Sequence, residues 1–220
     1  TKEKGYEWFG GAPGHEALTA YGLMQFNDMK KVYSGVDQNM IDRTANWLMA
    51  SKDGKGGYKR NARALDNFGG ASQNITDAYI TYALACANYE NIKIELDHLY
   101  EEAKSSKDAY VMGLAANALF AYHKDKRAAS ILNELMKKQE ADGSFMGANH
   151  SITRSTDKAL RVDTTSLAMM AMLQSDEIKS ESINKAVDYL TKARSGYGDF
   201  GNTQSTIMAL KALTQFANYA

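Results

Sequence analysis

The chain has 220 residues, of which 44% are hydrophobic and 24% charged, the composition of an ordinary globular domain. Its 26 basic and 26 acidic residues cancel, so no net charge attracts a nucleic-acid backbone or an anionic membrane surface. The single cysteine excludes an internal disulfide and a multi-thiolate zinc site, and no apolar stretch approaches the roughly 18 residues of a membrane-spanning helix.

Five mainly apolar helices are predicted in chain order, and each begins with an acidic or amide residue followed by a small one. Their first residues are Glu16, Asp77, Asp108, Asp163 and Gln204, on average 47 residues apart. Charged amphipathic helices are predicted before the last two of these, over residues 125–140 and 180–194. A unit of one outer and one inner helix therefore repeats along the chain.

Glycine and aromatic residues recur together in the turns between these helices. The turns cover residues 5–9, 53–58, 142–145 and 198–200. We expect glycine to take a positive φ there and an aromatic ring to fold back beneath the preceding helix. This role, which needs no ligand, is predicted for the aromatic residues Trp8, Phe9, Tyr58, Phe145, Tyr197 and Phe200.

The segment from Gln139 to Phe145 is similar to the Gln-x-x-Asp-Gly-Ser-aromatic motif of terpenoid-cyclase-like α/α toroids. We therefore predict an all-α fold, an α/α toroid of the terpenoid cyclase/protein prenyltransferase type, in one domain over residues 1–220. The common toroid has six inner and six outer helices, whereas this chain shows five inner starts and about nine to ten helices in all. We expect an incomplete ring that lacks about one N-terminal hairpin, through truncation or through evolution, and that exposes apolar surface at the gap.

The residues best suited to metal binding or nucleophilic chemistry show no arrangement of that kind. The four histidines, His15, His98, His123 and His150, lie too far apart in sequence for metal-ligand spacing. Cys86 falls inside an apolar predicted helix, where we expect it to behave as a small core residue. No cofactor or metal is predicted.

The acidic residues at the starts of the predicted inner helices are the remaining candidates, because a toroid gathers such positions on one rim. His15, Glu16, Asp77 and Asp163 are the candidate rim residues. Two facing carboxylates would suit acid and base roles in glycoside chemistry or magnesium binding for a diphosphate. The alternative function is therefore an enzyme of glycan or isoprenoid processing. The sequence favours a structural role instead, in which each carboxylate stabilises the first turn of its own helix, because this role explains Asp108 as well.

Several longer segments resemble the thioester domain of the alpha-2-macroglobulin and complement family. They are Gly14 to Leu23 with its Leu-Thr-Ala-Tyr, Asp77 to Leu84, and Gly201 to Leu213 with its Thr-Gln-Ser-Thr-Ile-Met-Ala-Leu-Lys-Ala-Leu. The resemblance runs over nearly the whole chain and in the same order. It implies a toroid within a much larger extracellular or periplasmic protein that inhibits proteases or serves in host defence. Its partners would be other domains of that parent protein and, through the parent, proteases or target surfaces.

Two positions depart from the family pattern. Active members carry Cys-Gly-Glu-Gln, which forms an internal thioester, but Cys86 is followed by Ala-Asn-Tyr, so this chain alone has no reactive bond. Complement members that acylate hydroxyls use a histidine about five residues before a Gly-Gly, and Ala64 lies at that distance from Gly69. The resemblance thus implies the amine-preferring, protease-trapping branch and no catalysis by the chain itself. A thioester-free interaction module is the remaining alternative.

Overall fold

The computed structural model describes residues 1–2, 4–9, 11, 13–61, 71–177 and 179–219. These residues form nine α-helices and no β-strand beyond an isolated bridge between Lys52 and Tyr58. The helices are α1 (Glu16–Val32), α2 (Gln38–Ala50), α3 (Gln73–Cys86), α4 (Lys93–Ser105), α5 (Ala109–Ala121), α6 (Arg127–Met136), α7 (Asp157–Gln174), α8 (Ser180–Ala193) and α9 (Thr203–Tyr219). The predicted all-α class is confirmed.

The odd-numbered helices form an inner layer and the even-numbered ones an outer layer. Each inner helix packs against the next, in the order α1, α3, α5, α7 and α9. Each outer helix packs against the inner helix that precedes it, and α4 and α6 also pack against the inner helix that follows. Their sequences fit these places, because α8 buries only one stripe, including Ile183 and Leu190, whereas α5 buries 11 of its 13 residues. The arrangement is the predicted α/α toroid.

Helix boundaries differ from the sequence prediction where side chains draw the chain into turns. The predicted helix over 125–140 is shorter, because α6 ends at Met136 and Gln139 already binds the carbonyl oxygens of Gly143 and Ser182. Helices α3 and α7 begin at Gln73 and Asp157, before the predicted starts at Asp77 and Asp163. These two carboxylates therefore lie one to two turns inside their helices.

Among the described residues, the ring is open between its first and last inner helices. An ion pair of 2.6 Å joins Lys211 of α9 to Asp28 of α1. Beside this pair, Met29, Val32 and Leu210 are 46%, 88% and 52% exposed. The expected apolar surface at the gap of an incomplete ring is therefore present. Within the described part of the chain, no helix is both long and apolar enough to cross a membrane.

Candidate functional site

Three glycine turns on the rim where the inner helices begin share one backbone geometry. In each turn a backbone N–H donates to the carbonyl oxygen four residues later, over 2.8 to 2.9 Å. The donor and acceptor residues are Asp53 and Gly57, Glu140 and Ser144, and Ser195 and Asp199. The residue before each acceptor is a glycine with φ between +90° and +101°, a region that L side chains rarely adopt. The three turns are thus one repeated structure.

The aromatic residue after each turn is buried and is held by the inner helix that follows. Tyr58, Phe145 and Phe200 are 2%, 0% and 1% exposed. Their backbone N–H groups donate to Asp77 Oδ1, Thr165 Oγ1 and Thr206 Oγ1 over 3.0, 2.9 and 3.0 Å. The predicted role as turn plugs is confirmed for these three residues.

The same prediction is wrong for the other three aromatic residues. Trp8, Phe9 and Tyr197 are 46%, 86% and 101% exposed, so their rings do not fill the space beneath a helix. In the N-terminal segment the corresponding bond is made by Tyr6, whose N–H donates to Thr19 Oγ1 over 2.8 Å. The positions of the glycines predict the turns correctly. Where a turn has more than one aromatic residue, the sequence does not show which of them is buried.

The Asp77 side chain binds the glycine turn that precedes its helix. Besides the Tyr58 N–H, its Oδ1 accepts a bond of 2.8 Å from Gln73 Nε2. Burial raises the pKa of Asp77 to about 6, although these two hydrogen bonds lower it. Its position relative to the plug matches that of Thr165 and Thr206, so a hydroxyl serves the same purpose in the other repeats. This equivalence favours a structural role over an acid or base role.

His15 and Glu16 begin α1. His15 is the N-cap, and its Nδ1 accepts from the Leu18 N–H over 3.4 Å, which requires the tautomer that leaves Nδ1 unprotonated. Burial raises the pKa of Glu16, and nearby backbone N–H groups and Arg60 oppose this. Asn61 also donates to the Gly14 carbonyl oxygen over 2.9 Å. His15 therefore caps α1, and Glu16 helps to anchor the segment around Asn61 to the start of this helix.

Asp163 is the most deeply buried rim carboxylate, with 1% of its surface exposed. The hydroxyls of Ser151, Ser155 and Ser205 face it, but neither carboxylate oxygen has a hydrogen bond of ordinary geometry among the described residues. Burial raises its pKa to about 6, and the three hydroxyls lower it. Asp163 thus joins the segment before α7 to the first turn of α9.

Asp108 caps α5 and also binds a distant loop. Its Oδ1 accepts from the N–H groups of Tyr110 and Ala148, each over 2.9 Å. This is the expected first-turn role, extended by one contact to the segment before α7. Burial raises the pKa of Tyr110, and the charges of Asp163 and Asp108 raise it further, whereas Asp77 and Glu16 interact with other local groups.

The described residues contain no group of three or more His, Cys, Asp or Glu side chains that could hold a metal ion. Ala64 and the Gly69-Gly70 pair lie outside the described residues. In the described part of the rim, the candidate residues therefore lie in helix caps and turn contacts.

At the opposite end of the inner helices a polar cavity of about 210 Å³ lies on the ring axis. All five inner helices contribute to its wall, among them Asn27, Cys86, Asn117, Gln174 and Lys211. Asn117 donates to the carbonyl oxygens of Gly113 and Leu167 and accepts from Gln174 Nε2 over 2.7 Å. No sequence pattern predicts this cavity, because its polar residues are spread over five helices and share no motif.

Cys86 lies in this wall, at the last residue of α3 and not in the middle of a helix as predicted. Burial raises the pKa of its thiol to about 11. The thiol is therefore protonated at neutral pH and a poor nucleophile, which agrees with the expected non-reactive role.

A second and larger cavity, of about 440 Å³, is the groove between α1 and α9. Its wall is mostly apolar and includes Tyr21, Met24, Tyr79, Ile207 and Met208. The Asp28–Lys211 pair separates this groove from the cavity on the ring axis, since both residues belong to both walls. The open side of the ring therefore presents an apolar groove that ends at an ion pair.

Comparison with known proteins leads to the family that the sequence segments resemble. The model of the A-macroglobulin TED domain matches residues 1–216. Ovostatin from Gallus gallus is 26% identical over 226 residues, which cover 92% of this chain and 15% of ovostatin. Complement C3 from Eptatretus burgeri is 24% identical over 215 residues, 90% of this chain and 13% of C3.

A third relative, thioester-containing protein 1 allele R1 from Anopheles gambiae, is 25% identical over 214 residues, 93% of this chain and 15% of that protein. The chain thus spans only 13 to 15% of the length of these curated relatives. Because the family model covers nearly every residue of a chain with the toroid fold, the chain belongs to the A-macroglobulin TED domain family.

Proposed function

We propose that this chain is the thioester-domain part of a larger, extracellular, macroglobulin-type protein that inhibits proteases or acts in host defence. The single observation that carries the proposal is the family match over residues 1–216. The relatives named ovostatin, complement C3 and thioester-containing protein 1 support the two roles. Since the chain spans 13 to 15% of each relative, the activity belongs to the larger protein.

In this proposal the chain is a rigid scaffold and not an enzyme. Its only cysteine is Cys86, whose thiol is protonated at neutral pH and is not followed by Gly-Glu-Gln. A thioester in the parent protein therefore needs a cysteine outside these 220 residues. The buried plugs and their side-chain anchors make the rim stiff, which suits a scaffold that protects a thioester until proteolysis exposes it.

The proposed reaction is acyl transfer to an amine. The amine nitrogen attacks the thioester carbonyl carbon, the carbon–sulfur bond breaks, and the sulfur leaves as a thiolate while the nitrogen loses a proton. Counting back about five residues from Gly69-Gly70 leads to Ala64, where the resemblance to hydroxyl-acylating complement members would require a histidine. We therefore propose that the parent protein prefers amines, such as lysine side chains of a trapped protease, over hydroxyls.

The test is methylamine treatment of the intact parent protein. We expect one new thiol for each polypeptide and incorporation of one methylamine, measured by thiol titration and by mass spectrometry. A Cys86→Ala variant of the parent removes the thiol that is already present and should release the same new thiol. Protease activity on a protein substrate, measured before and after methylamine, tests whether inhibition depends on the thioester.

The outcomes separate the alternatives. Thiol release with loss of inhibition supports the proposal, and absence of thiol release contradicts a thioester in this parent protein. Inhibition without thiol release would identify a thioester-free interaction module instead. For nucleophile choice, glycerol should react poorly with the parent protein, and Ala64→His should increase its reaction; equal reaction of glycerol and methylamine would contradict the amine preference.

A further inference from the structure

Two segments of the chain match the acceptor sequence for N-linked glycosylation, which is Asn-x-Ser/Thr with any residue except proline in the middle. The first is Asn74-Ile-Thr76, in the first turn of α3, and the second is Asn149-His-Ser151, in the loop before α7. Both asparagine residues are exposed, as an acceptor that carries a bulky oligosaccharide has to be. The sequence pattern and the exposure therefore agree at both positions.

The fold does not use the amide nitrogen of either asparagine. Asn74 Oδ1 accepts from Ser72 Oγ, but this contact caps no backbone group of α3. The loop before α7 is held by the residue next to Asn149, because the Ala148 N–H donates to Asp108 Oδ1 over 2.9 Å. Within the described part of the chain, neither asparagine Nδ2 donates a hydrogen bond. Both amide nitrogens can therefore carry a substituent without loss of a contact.

We propose that Asn74 and Asn149 are N-glycosylation sites, each of which carries one N-linked oligosaccharide in the parent protein. This inference rests on the proposed function, in which the parent is extracellular, because the modification belongs to secreted chains. The co-reactant is an oligosaccharide joined to a membrane lipid through pyrophosphate. The asparagine Nδ2 bonds to the first sugar carbon and loses one proton, while the bond from that carbon to the pyrophosphate oxygen breaks and the lipid pyrophosphate leaves.

The hydroxyl that completes each acceptor sequence is buried in the folded chain. Thr76 and Ser151 are 3% and 0% exposed. Thr76 Oγ1 donates to the Ser72 carbonyl oxygen over 3.1 Å, and Ser151 Oγ accepts from the Ser155 N–H over 3.0 Å. Oligosaccharide transfer therefore precedes folding, while the extended segment still presents both its amide and its hydroxyl. A chain that is modified as it enters the secretory pathway follows this order.

Both sites lie on the rim where the inner helices begin. Asn74 is in the first turn of α3, and Asn149 follows Ala148, whose N–H binds the carboxylate that caps α5. Helices α3 and α5 pack against each other, so the two oligosaccharides cover adjacent parts of the rim. Burying such a bulky, hydrophilic group between two domains would be costly. This part of the rim therefore faces solvent in the parent protein, and neighbouring domains pack elsewhere.

The experiment uses the intact parent protein secreted by an animal cell line. Peptide N-glycosidase in water labelled with heavy oxygen releases each oligosaccharide and converts its asparagine to labelled aspartate, which mass spectrometry locates. We expect the label at residues 74 and 149. Asn74→Gln and Asn149→Gln should each remove one oligosaccharide, seen as one step of faster migration on a denaturing gel. The matched control is Asn184→Gln on α8, which should migrate like the wild type, since Asn184 is exposed but is followed by Lys-Ala.

A second variant tests whether the acceptor sequence itself is read. Thr76→Val keeps the shape of the side chain but removes the hydroxyl, so it should abolish the label at residue 74 and leave the label at residue 149. Absence of the label from either residue of the wild-type protein would overturn the proposal, and so would a label at residue 74 in Thr76→Val. Thiol release by methylamine without a label contradicts only this inference, whereas a label without thiol release contradicts only the proposed thioester.

Discussion

The closed and the open sides of the ring use similar helices but bury them differently. On the closed side α5 and α7 bury 11 of 13 and 13 of 18 residues, because each has an inner helix on both flanks. On the open side α1 and α9 bury 7 of 17 and 5 of 17. Burial of an inner helix is therefore decided by its neighbours as much as by its own sequence.

The two sides also differ in chemistry. Helix α5 has no charged residue, and its polar Asn117 is satisfied by backbone carbonyl oxygens and Gln174. The open side instead carries the Asp28–Lys211 pair, with 37% and 28% of the two side chains exposed. Apolar packing holds the closed side together, whereas an ion pair joins the two helices that border the gap.

The largest expected effect comes from truncating the same residue type on the two sides. Leu167 is fully buried on α7, so Leu167→Ala should lower the free energy of unfolding by about 2 to 5 kcal/mol, since it leaves a cavity. Leu210 on α9 is 52% exposed, and Leu210→Ala should cost less than about 0.5 kcal/mol. Urea unfolding of the two variants measures the difference, and equal costs would contradict the distinction between the sides.

Much of this fold was predictable because each repeat has the same local sequence features, an apolar periodicity and a glycine turn. Apolar periodicity and the Asp-Gly-Ser-Phe turn at 142–145 placed the inner helices and the ring, and the count of five starts anticipated the gap. The sequence does not single out the outer helices α2 and α4, since a polar residue interrupts the buried stripe of each, at Thr44 and Glu95. Boundaries failed where a side chain such as Gln139 binds backbone atoms distant in sequence.

The rim was less predictable than the fold. In the sequence, Asp77 and Asp163 both stand at the start of an apolar run, so both are predicted to occupy the same position in their helices. The structure instead pairs Asp77 with Thr165, because both bind the N–H of a plug. Threonine recurs near the start of three inner helices, at Thr19, Thr165 and Thr206, and this recurrence was the available signal. Only the fold shows what the threonine hydroxyls bind.

The next prediction concerns Asp163, which ties the closed side to α9. Its carboxyl keeps a proton up to about pH 6 in the folded chain, whereas the unfolded chain loses that proton near pH 3.8. The folded state therefore binds more protons between these values, and stability falls as pH rises from about 4 to about 6. The difference corresponds to about 3 kcal/mol, so Asp163→Asn should make the pH dependence of unfolding shallower by an amount of that order.

The test compares how the free energy of unfolding changes with pH, and not its value at one pH. The amide of Asp163→Asn also alters the packing around the serine hydroxyls, which changes stability at every pH. Thermal or urea unfolding of both proteins between pH 4 and pH 7.5 gives the slope. The control is Asp188→Asn on the exposed side of α8, which should leave the slope as it is in the wild type. An unchanged slope in Asp163→Asn would mean that this carboxyl ionises normally despite its burial.

The smallest expected effect is at the ion pair that joins α1 and α9. Lys211→Met should lower the free energy of unfolding by about 1 kcal/mol at neutral pH, since the pair is partly exposed and screened. The lowered pKa of Asp28 stabilises the fold above its ordinary value of 3.8, and this contribution disappears as pH falls through the lowered value.

A double-mutant cycle with Asp28→Asn isolates the pair from the packing of the lysine stem. The exposed pair of Glu181 and Lys185 on α8 is the matched control, and its cycle should show no measurable coupling. Coupling between Asp28 and Lys211 that is no larger than in the control would show that the two helices are held by apolar contacts alone. The open and closed sides would then differ in their residue types, while apolar contacts stabilise both.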